Sequence, residues 1–362
     1  MSKLRFIFLV QGEGRGHMSQ ALALDKMLTQ NGDEVVHTFI GKSSRRKIPE
    51  YFLSQISSRV EQVDSPNFQL DSQNRSLRLI KSILYNTRFL NTYYNSLQNI
   101  DHAVKKYRPD IIINFCDFLG GFYFWLFRPG IRHVAIGHHF LTAHPDFPFV
   151  PGRPLEKWLF KTNNALTSMR ADQRIALSFR PLTPNITGKT IIAPPLLRDR
   201  IKKIKTTKEP FILAYIVNDG YAEELIKWHN QHQNTVIHCF WDRKGYNHKY
   251  NAHRNFILHP LDEDDFLDHL ARCSGYVTTA GFESIAEALY IGKPVMVVPV
   301  DRQYEQACNA RDAEYYKQVI RSEKFDLSAL VNLIHNPVAM KDDFKNWVKQ
   351  SKKIMLHELH KR

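Results

Sequence analysis

Two consecutive strand–loop–helix units near the end of the chain constrain its fold more than any other feature. The apolar segment Gly275–Thr278 runs into a small-residue turn, Thr279-Ala280-Gly281, and a helical pattern begins directly after it. A second apolar segment, Val295–Val300, ends in a polar loop. Apolar strands that alternate with helical patterns are typical of parallel βαβ units. We therefore expect the two loops at one edge of an open α/β sheet, where ligands of such sheets bind.

The turn at Gly281 predicts a site for an anion. The first backbone N–H groups of a helix have no partner inside the helix, and they carry the positive end of the helix dipole, which suits phosphate. Glu287 lies one helical turn beyond Glu283, so its carboxylate can accept hydrogen bonds from sugar hydroxyls. The loop after the second strand adds the polar side chains of Gln303, Glu305, Gln306 and Asn309. Together these groups predict a pocket for a nucleotide sugar.

The chain is long enough, at 362 residues, for two α/β domains that each have a core. Its apolar content of 43% and charged content of 24% are ordinary for a soluble protein. It contains no apolar run of the roughly 18 residues that a membrane helix needs, and its first residues predict a strand rather than a signal peptide. The four cysteines are far apart, which indicates reduced, buried thiols rather than disulfides or a zinc site: Cys116, Cys239, Cys273 and Cys308. We expect a cytoplasmic protein.

The positive charge is concentrated in the first half of the chain. Up to Arg200 there are 27 Lys and Arg residues against 15 Asp and Glu residues, an excess of +12, and the remaining residues carry only +2 of the total +14. A basic half produces a positive field toward an anionic partner. Nucleic acid, an anionic membrane surface and an acidic acceptor all fit, and so does a charge excess that only keeps the protein soluble.

Strand and helix patterns divide the chain into two series. The first has predicted strands at Leu4–Val10, Val35–Ile40, Ile111–Phe115 and Arg132–Ile136, with helices at Met18–Asn31 and Leu77–Lys106. The second has predicted strands at Phe211–Val217, Val236–Phe240, Phe256–His259, Gly275–Thr278 and Val295–Val300. A basic connector with two prolines, 194–205, separates the series and predicts domains over 1–202 and 203–337. A basic amphipathic helix over 338–360, in the final segment 338–362, is expected to return to the first domain.

The loop after the first strand carries glycines at three alternate positions, Gly12, Gly14 and Gly16, followed by His17. Such glycines allow tight turns and a close approach of the backbone to a ligand. The spacing G-x-G-x-G-H is not the dinucleotide fingerprint G-x-G-x-x-G, and no Lys-Ser/Thr pair makes a P-loop. An imidazole at this helix start can accept a proton from a substrate hydroxyl near neutral pH. His17 is therefore the candidate catalytic base, and the alternative is that it only caps or packs the turn.

The two loops together resemble those of the two-domain GT-B glycosyltransferases. Within that group the chain is most similar to the UDP-N-acetylglucosamine transferase of lipid II synthesis and to related enzymes with the family 28 type of C-terminal domain. The resemblance covers the architecture of nearly the whole chain, and its specific motifs occupy Gly12–His17, Pro195–Arg198 and Phe256–Ala310. It implies two doubly wound, Rossmann-like α/β domains that face each other across a cleft. The acceptor would bind mainly to the first domain and the sugar nucleotide mainly to the second.

The resemblance also implies which residues bind the donor. The set is Arg198, His259, Leu261, Thr279, Ala280, Gly281, Ser284, Glu287, Gln303, Glu305, Gln306 and Asn309. Gly281 and Ser284 match the contacts with the diphosphate, and Glu287 matches the acidic residue that holds the ribose hydroxyls. Glu305 and Gln306 match the polar pair that binds the transferred sugar.

Other implied contacts lie outside these two loops. His259 and Leu261 fall in the loop expected beside the nucleobase, and Arg198 of the connector can reach phosphate with a bidentate guanidinium. The implied acceptor face consists of Gly12, Gly14, Gly16, Asp117, His138 and His139. Asp117 follows a strand and can orient His17 or replace it as the base, or it can serve turn chemistry alone. The adjacent histidines have no matching cluster of further ligands, so no metal is expected.

These features predict a metal-independent, inverting glycosyltransferase that uses a UDP-sugar as substrate and needs no cofactor. The expected acceptor is lipid-linked or anionic, with a role in the cell envelope and peripheral contact with an anionic membrane on its cytoplasmic side. Three alternatives stay open. A UDP-sugar epimerase of the same fold would bind the same donor, a sugar-nucleotide sensor would bind it without turnover, and a nucleic-acid-binding protein would explain the basic half. The last is disfavoured because no nucleic-acid-binding motif is recognised.

Overall fold

The computed structural model describes residues 3–42, 48–66, 85–183, 189–216, 219–241, 243, 248–338 and 342–361, and these form two seven-stranded sheets. The first sheet has the spatial order β3-β2-β1-β4-β5-β6-β7. Its strands are β1 Arg5–Val10, β2 Glu34–Gly41, β3 Val60–Val63, β4 Ile111–Phe115, β5 Arg132–Gly137, β6 Gln173–Leu177 and β7 Thr190–Ala193. All neighbours in it pair in parallel.

The second sheet has the order β10-β11-β9-β8-β12-β13-β14. Its strands are β8 Phe211–Ile216, β9 Val236–Trp241, β10 Tyr250–His253, β11 Phe256–Pro260, β12 Gly275–Thr279, β13 Val295–Val298 and β14 Val319–Arg321. All neighbours are parallel except β10 and β11. The predicted fold class, two doubly wound α/β units, is confirmed.

Helices cover both faces of the sheets. In the first series they are α1 Arg15–Thr29, α2 Glu50–Gln55, α3 Leu90–Tyr107, α4 Phe118–Leu126 and α5 Pro154–Thr167, with a 3₁₀ helix at His138–Ala143. The connector contains α6 Asp199–Lys203. The later helices are α7 Ala222–Gln231, α8 Glu263–Arg272, α9 Phe282–Tyr290, α10 Tyr304–Ala313, α11 Ser328–His335, α12 Asp343–Lys349 and α13 Ser351–His360.

All nine predicted strands are present, with ends that differ by one or two residues, except that Val217 lies outside the described residues. Five strands were not predicted, and four of these, β3, β7, β10 and β14, lie at sheet edges. Edge strands are half-exposed, so they lack the continuous apolar run that marks a buried strand. The first part of the predicted helix Leu77–Lys106 also lies outside the described residues, and the described helix α3 begins at Leu90.

The prediction of a single helix over 338–360 was wrong. Residues 339–341 lie outside the described part, and the rest divides at Gln350 into α12 and α13. The Gln350 N–H donates to the carbonyl of Trp347, three residues earlier, at 3.0 Å, which tightens the turn there. The indole N–H of Trp347 donates to the Ser178 carbonyl at 2.9 Å. Arg132, at the start of β5, donates to the carbonyls of Glu358 and Leu359 at 2.7 and 2.8 Å.

The strand order of both sheets reverses at the first strand of each series. In the first sheet β1 lies between β2 and β4, and in the second β8 lies between β9 and β12. Loops at such a reversal diverge to opposite faces and leave a crevice at the carboxyl edge of the sheet, where ligands bind. The loop after β1 carries the three glycines and leads to His17, and the loop after β12 leads to Gly281. The fold therefore places both sequence motifs at crevices.

The described residues contain no helix that is both long enough and apolar enough to cross a membrane. The four cysteines are free and buried, as expected for reduced thiols. The domain boundary near residue 203 stays a prediction. It falls in the segment between β7, which ends at Ala193, and β8, which begins at Phe211.

Candidate active site

A cavity of about 1040 Å³ lies between the two sheets. The loop after β1 and helices α3, α4 and α5 line it from one side. Arg198 before α6, the first residues of α8, α9 and α10, and the loop after β13 line it from the other. Ligand pockets commonly have volumes of about 300–1000 Å³, so this one has room for two substrates together. Gly12 lies behind its wall, where an added Cβ would meet the Gly41 carbonyl oxygen, so only glycine fits there.

Three reactive side chains meet in the cavity around His139. Its Nε2 lies 2.6 Å from Oε1 of Glu305, in the first turn of α10, and its Nδ1 lies 3.1 Å from Sγ of Cys116. The ring of His17, in the first turn of α1, lies 5.5 Å from the His139 ring, measured between centroids. Cys116 has a φ of +58°, a left-handed conformation that is rare outside glycine and often occurs at functional sites. The ion pair therefore links His139, from the first series of elements, to Glu305, from the second. This contact lies next to His17.

Burial and the charge of His139 leave His17 neutral. Burial disfavours the charged form of His139, but the carboxylate of Glu305 outweighs it and holds the pKa of His139 well above 6.5. Burial likewise opposes ionisation of Glu305, yet His139 lowers the pKa of that carboxyl to about 2. Burial, and then the positive charge of His139, lower the pKa of His17 to about 4. At neutral pH His17 is an imidazole that can accept a proton.

Arg198, which the resemblance predicts to reach phosphate, contacts two carboxylates. Its guanidinium forms a bidentate pair with Glu287, with Nε 2.6 Å from Oε1 and Nη2 2.5 Å from Oε2. Its Nη1 donates to Oε1 of Glu263 at 2.6 Å. All three side chains line the cavity, although Glu287 is only 1% exposed. Arg198 therefore fixes the position of the carboxylates, and Glu287 faces the cavity with both oxygens already bonded.

The first turn of α9 faces the cavity through Gly281 and Ser284. Gly281 is the N-cap and offers no side chain to the free N–H groups of the helix. Glu283 points toward α1, where its Oε1 accepts from Nε2 of Gln20 at 2.6 Å. Burial raises the pKa of Glu283 to about 8, and no residue that the structure describes bonds to its buried Oε2. This carboxyl is neutral at pH 7, so it adds no negative charge beside the helix start.

Other donor-side residues divide into lining and supporting groups. Leu261, Gln303, Glu305 and Gln306 line the cavity. Thr279 and Ala280 are buried behind the turn, where the carbonyl of Ala280 accepts from Nδ2 of Asn309 at 3.1 Å. Asn309 thereby holds the turn rather than reaching into the cavity.

Two predicted site residues lie elsewhere. Asp117 does not orient His17, because its carboxylate caps α4 through the Leu119 N–H at 2.8 Å and accepts from Ser65 at 2.8 Å. His259 is not in a loop beside the cavity but in strand β11, where it is 1% exposed. Turn chemistry, the alternative for Asp117, is what the structure contains.

Four of the other residues that were predicted to bind the acceptor lie together at the cavity. Gly14, Gly16, His138 and His139 line it. His138 stacks on Phe282 of α9 at 4.1 Å between ring centroids, and its Nδ1 lies 2.7 Å from the Leu177 carbonyl oxygen. His138 therefore packs between the two sides of the cavity.

Sequence reasoning missed an apolar groove at the cavity mouth. Its exposed residues are Leu90 and Tyr94 of α3, Trp125 and Leu126 of α4, and Trp158 of α5. The apolar run 122–127 was the available signal, and it fits either a buried helix or a membrane contact. Only part of α4 is buried, since Trp125 is 55% exposed. Glu263 and Gln20 were also missed, because nothing in their local sequence marks them.

Comparisons with known proteins agree with this architecture. The sequence model of the family described as glycosyl transferase family 1 matches residues 4–336. The solved structure of the glycotransferase of kitacinnamycin matches with a TM-score of 0.63 and 14% identity, over 99% of this chain and 96% of that one. UGT89C1 of Arabidopsis thaliana, complexed with UDP-L-rhamnose, matches with a TM-score of 0.64 and 13% identity, over 99% and 98%.

UGT2 of Phytolacca americana, complexed with UDP-2fluoro-glucose and pterostilbene, matches with a TM-score of 0.63 and 12% identity, over 98% of this chain and 96% of that one. Identities this low establish the GT-B fold alone. No curated protein sequence matches the chain. The family model spans most of the chain, so this protein belongs to glycosyl transferase family 1 and is a glycosyltransferase.

Proposed function

We propose that this glycosyltransferase moves a sugar from a UDP-sugar to an acceptor hydroxyl, with inversion at the anomeric carbon and without a metal ion. The observation that carries the proposal is the position of a neutral His17 in the same cavity as the uncapped start of α9. His17 supplies a base for a hydroxyl, and the start of α9 supplies positive potential for a diphosphate.

The donor would bind along the second side of the cavity. Its diphosphate would accept hydrogen bonds from the first N–H groups of α9, after Gly281, with Ser284 beside them. The ribose hydroxyls would donate to Glu287, whose carboxylate Arg198 orients. Two related structures were solved with UDP-sugars bound, which supports a donor of this class.

The reaction follows from this arrangement. Nε2 or Nδ1 of His17 takes the proton of the acceptor hydroxyl, and the oxygen forms a bond to the anomeric carbon. The bond from that carbon to the phosphate oxygen breaks on the opposite face, and the electron pair leaves with UDP. The α9 amides stabilise the charge that develops on the diphosphate, a role that a metal ion would otherwise fill. Burial, together with the positive charge of His139, keeps His17 neutral and therefore ready to accept the proton.

The acceptor would carry an apolar portion. The groove of Leu90, Tyr94, Trp125, Leu126 and Trp158 opens beside His17 and presents aromatic surface to solvent. Exposed apolar patches of this kind mark binding sites for apolar ligands or membranes. Combined with the +12 excess up to Arg200, this supports a lipid-linked acceptor presented at an anionic membrane in cell-envelope synthesis. The resemblance to the lipid II-forming transferase points to the same acceptor class.

A screen of nucleotides and sugar nucleotides tests the proposal. A UDP-sugar should raise the melting temperature selectively, because a ligand that binds only the folded state stabilises it. With that donor and lipid-linked acceptors in detergent, wild-type enzyme should release UDP in step with product. Sugar epimerised while still attached to the nucleotide, with no UDP released, would contradict transfer. Donor binding without product for any acceptor class would instead favour a sensor.

A further inference from the structure

Three histidines from three elements meet in the second domain, outside the cavity described above. They are His238 of β9, His259 of β11 and His269 of α8. One nitrogen of each ring lies within 4.8 Å of the others. The ring centroids are 4.7 to 5.0 Å apart for all three pairs. His259 and His269 are buried, and His238 is partly accessible.

Asp265, on the exposed side of this histidine cluster, orients two of the rings. The Nδ1–H of His269 donates to the Asp265 carbonyl at 2.7 Å, and Nδ1 of His259 lies 3.4 Å from the Asp265 carboxylate. Both rings therefore turn Nε2 away from Asp265. A histidine that ligates a metal usually makes this type of bond through its other nitrogen, which fixes its tautomer and direction.

The remaining nitrogens converge on one place. Nε2 of His259 lies 2.8 Å from Nδ1 of His238, a distance at which one proton is shared between the two atoms. The ring of His269 brings a further nitrogen within 4.8 Å of these two rings. A single cation in place of the shared proton would take one lone pair from each ring.

We propose that His238, His259 and His269 bind one zinc ion, or a similar divalent transition metal, with a water molecule as the fourth ligand. Zinc–nitrogen bonds of about 2.0–2.1 Å in a tetrahedron place ligand nitrogens about 3.3 Å apart. The nitrogens here are between 2.8 and 4.8 Å apart, so rotations of the side chains are enough to reach that geometry. Three neutral imidazoles select a transition metal over calcium or magnesium, which prefer oxygen ligands.

Two neighbouring side chains complete the surroundings of the cluster. Phe240 stacks on His259 at 4.6 Å between ring centroids and limits its movement. Lys249 lies 3.4 Å from the Asp265 carboxylate, so its positive charge balances the negative charge of Asp265 beside the cluster.

A second group of possible ligands, His17, Cys116 and His139, lies in the active site. Both nitrogens of His139 there are already paired, with Glu305 and with Cys116. A metal in that position has to take one of these nitrogens from its present partner. It would also bind a thiol, which gives it a distinct spectrum.

Cobalt titration of the metal-stripped, full-length protein tests the proposal. We expect one Co²⁺ per chain with the visible absorption of a tetrahedral nitrogen site, displaced by Zn²⁺. His238→Gln and His269→Gln should each abolish this absorption, whereas His253→Gln, at an exposed histidine of β10, should leave it intact. Asp265→Asn should weaken zinc binding by about 10–100-fold, the usual effect of removing an orienting partner. The transfer rate of each variant checks that it is folded.

Three results would overturn the proposal. One is a wild-type protein that binds no cobalt in stoichiometric amount, which needs no variant to be interpreted. Another is a thiolate-to-cobalt charge-transfer band that disappears in Cys116→Ser, because it would assign the metal to the active site. The third is a zinc affinity of the doubly substituted His238→Gln, His269→Gln protein equal to that of wild type.

Discussion

The two sides of the cavity differ in chemistry. The first side offers imidazoles and aromatic rings, with His17 and His139 at its centre and Trp125 at its mouth. The second offers carboxylates and a helix start, with Glu287 held by Arg198. Yet one decisive charge is shared, because Glu305 of the second side raises the pKa of His139 of the first, and the positive charge of His139 adds to burial in lowering the pKa of His17. Each side therefore lacks a complete site of its own, and changes on the two sides should have different consequences.

The largest effect is expected on the first side. His17→Ala should lower the transfer rate about 10²–10⁴-fold, the usual contribution of a general base, and leave UDP affinity nearly unchanged. His102→Ala, at an exposed histidine of α3, is the matched control and should keep the full rate. Steady-state rates and UDP titration measure both. If His17→Ala keeps the wild-type rate, the base lies elsewhere.

On the second side the main effect should be on stability and donor binding together. Glu287→Ala removes one partner of a buried ion pair and leaves Arg198 under-compensated, which should cost about 3–5 kcal/mol in the free energy of unfolding. Glu287→Gln keeps the shape and one acceptor, so it should cost less while still weakening UDP binding. Urea unfolding and UDP titration separate the two effects. Equal stability of wild type and Glu287→Ala would show that the pair is not formed in solution.

A smaller effect should be confined to the groove. Trp125→Ala and Trp158→Ala should each raise the KM for an acceptor with an apolar tail about 10-fold, because roughly 60 Å² of buried indole surface contributes about 1.5 kcal/mol. Donor affinity and stability should not change, since Trp125 is 55% and Trp158 60% exposed. Tyr250→Ala, exposed on the second sheet, is the control. An unchanged KM in both groove variants would remove the argument for an apolar acceptor.

The last effect should be a difference in the pH dependence of stability. The Glu283 carboxyl ionises near 4.5 when unfolded and, because burial raises its pKa, at about 8 when folded. Between these values the unfolded chain binds fewer protons, so wild type loses stability as pH rises, by up to roughly 1.4 kcal/mol per pH unit. Glu283→Gln cannot titrate and should lose none of this. Unfolding curves at pH 5, 7 and 8 measure the difference, and parallel curves would mean that Glu283 is ionised when folded.

The features of this molecule that the sequence could predict are those that depend on residues close together in the chain. The buried central strands have uninterrupted apolar runs, as in Ile111–Phe115, and the turn at Gly281 is marked by small residues. Since central parallel strands end at one edge, the positions of both loops followed from the strands alone. The order of the strands and the crevices at β1 and β8 agree with that expectation.

The parts that sequence could not predict depend on contacts between distant residues. The pair of Arg198 and Glu287 joins residues 89 positions apart, and no periodicity indicates which carboxylate an arginine will meet. The bond between Gln20 and Glu283 spans 263 positions, and it accompanies the burial that keeps Glu283 neutral. His259 was expected beside the nucleobase at the end of its strand, but the strand continues to Pro260 and leaves His259 1% exposed in the core.

The return of the last two helices to the first sheet has a mechanical consequence. The polypeptide passes between the two sheets once through α6 and again before α12, where Trp347 and the carbonyls bonded by Arg132 fasten it. The two crossings define a line, and a rotation about that line would change the width of the cavity without breaking either crossing.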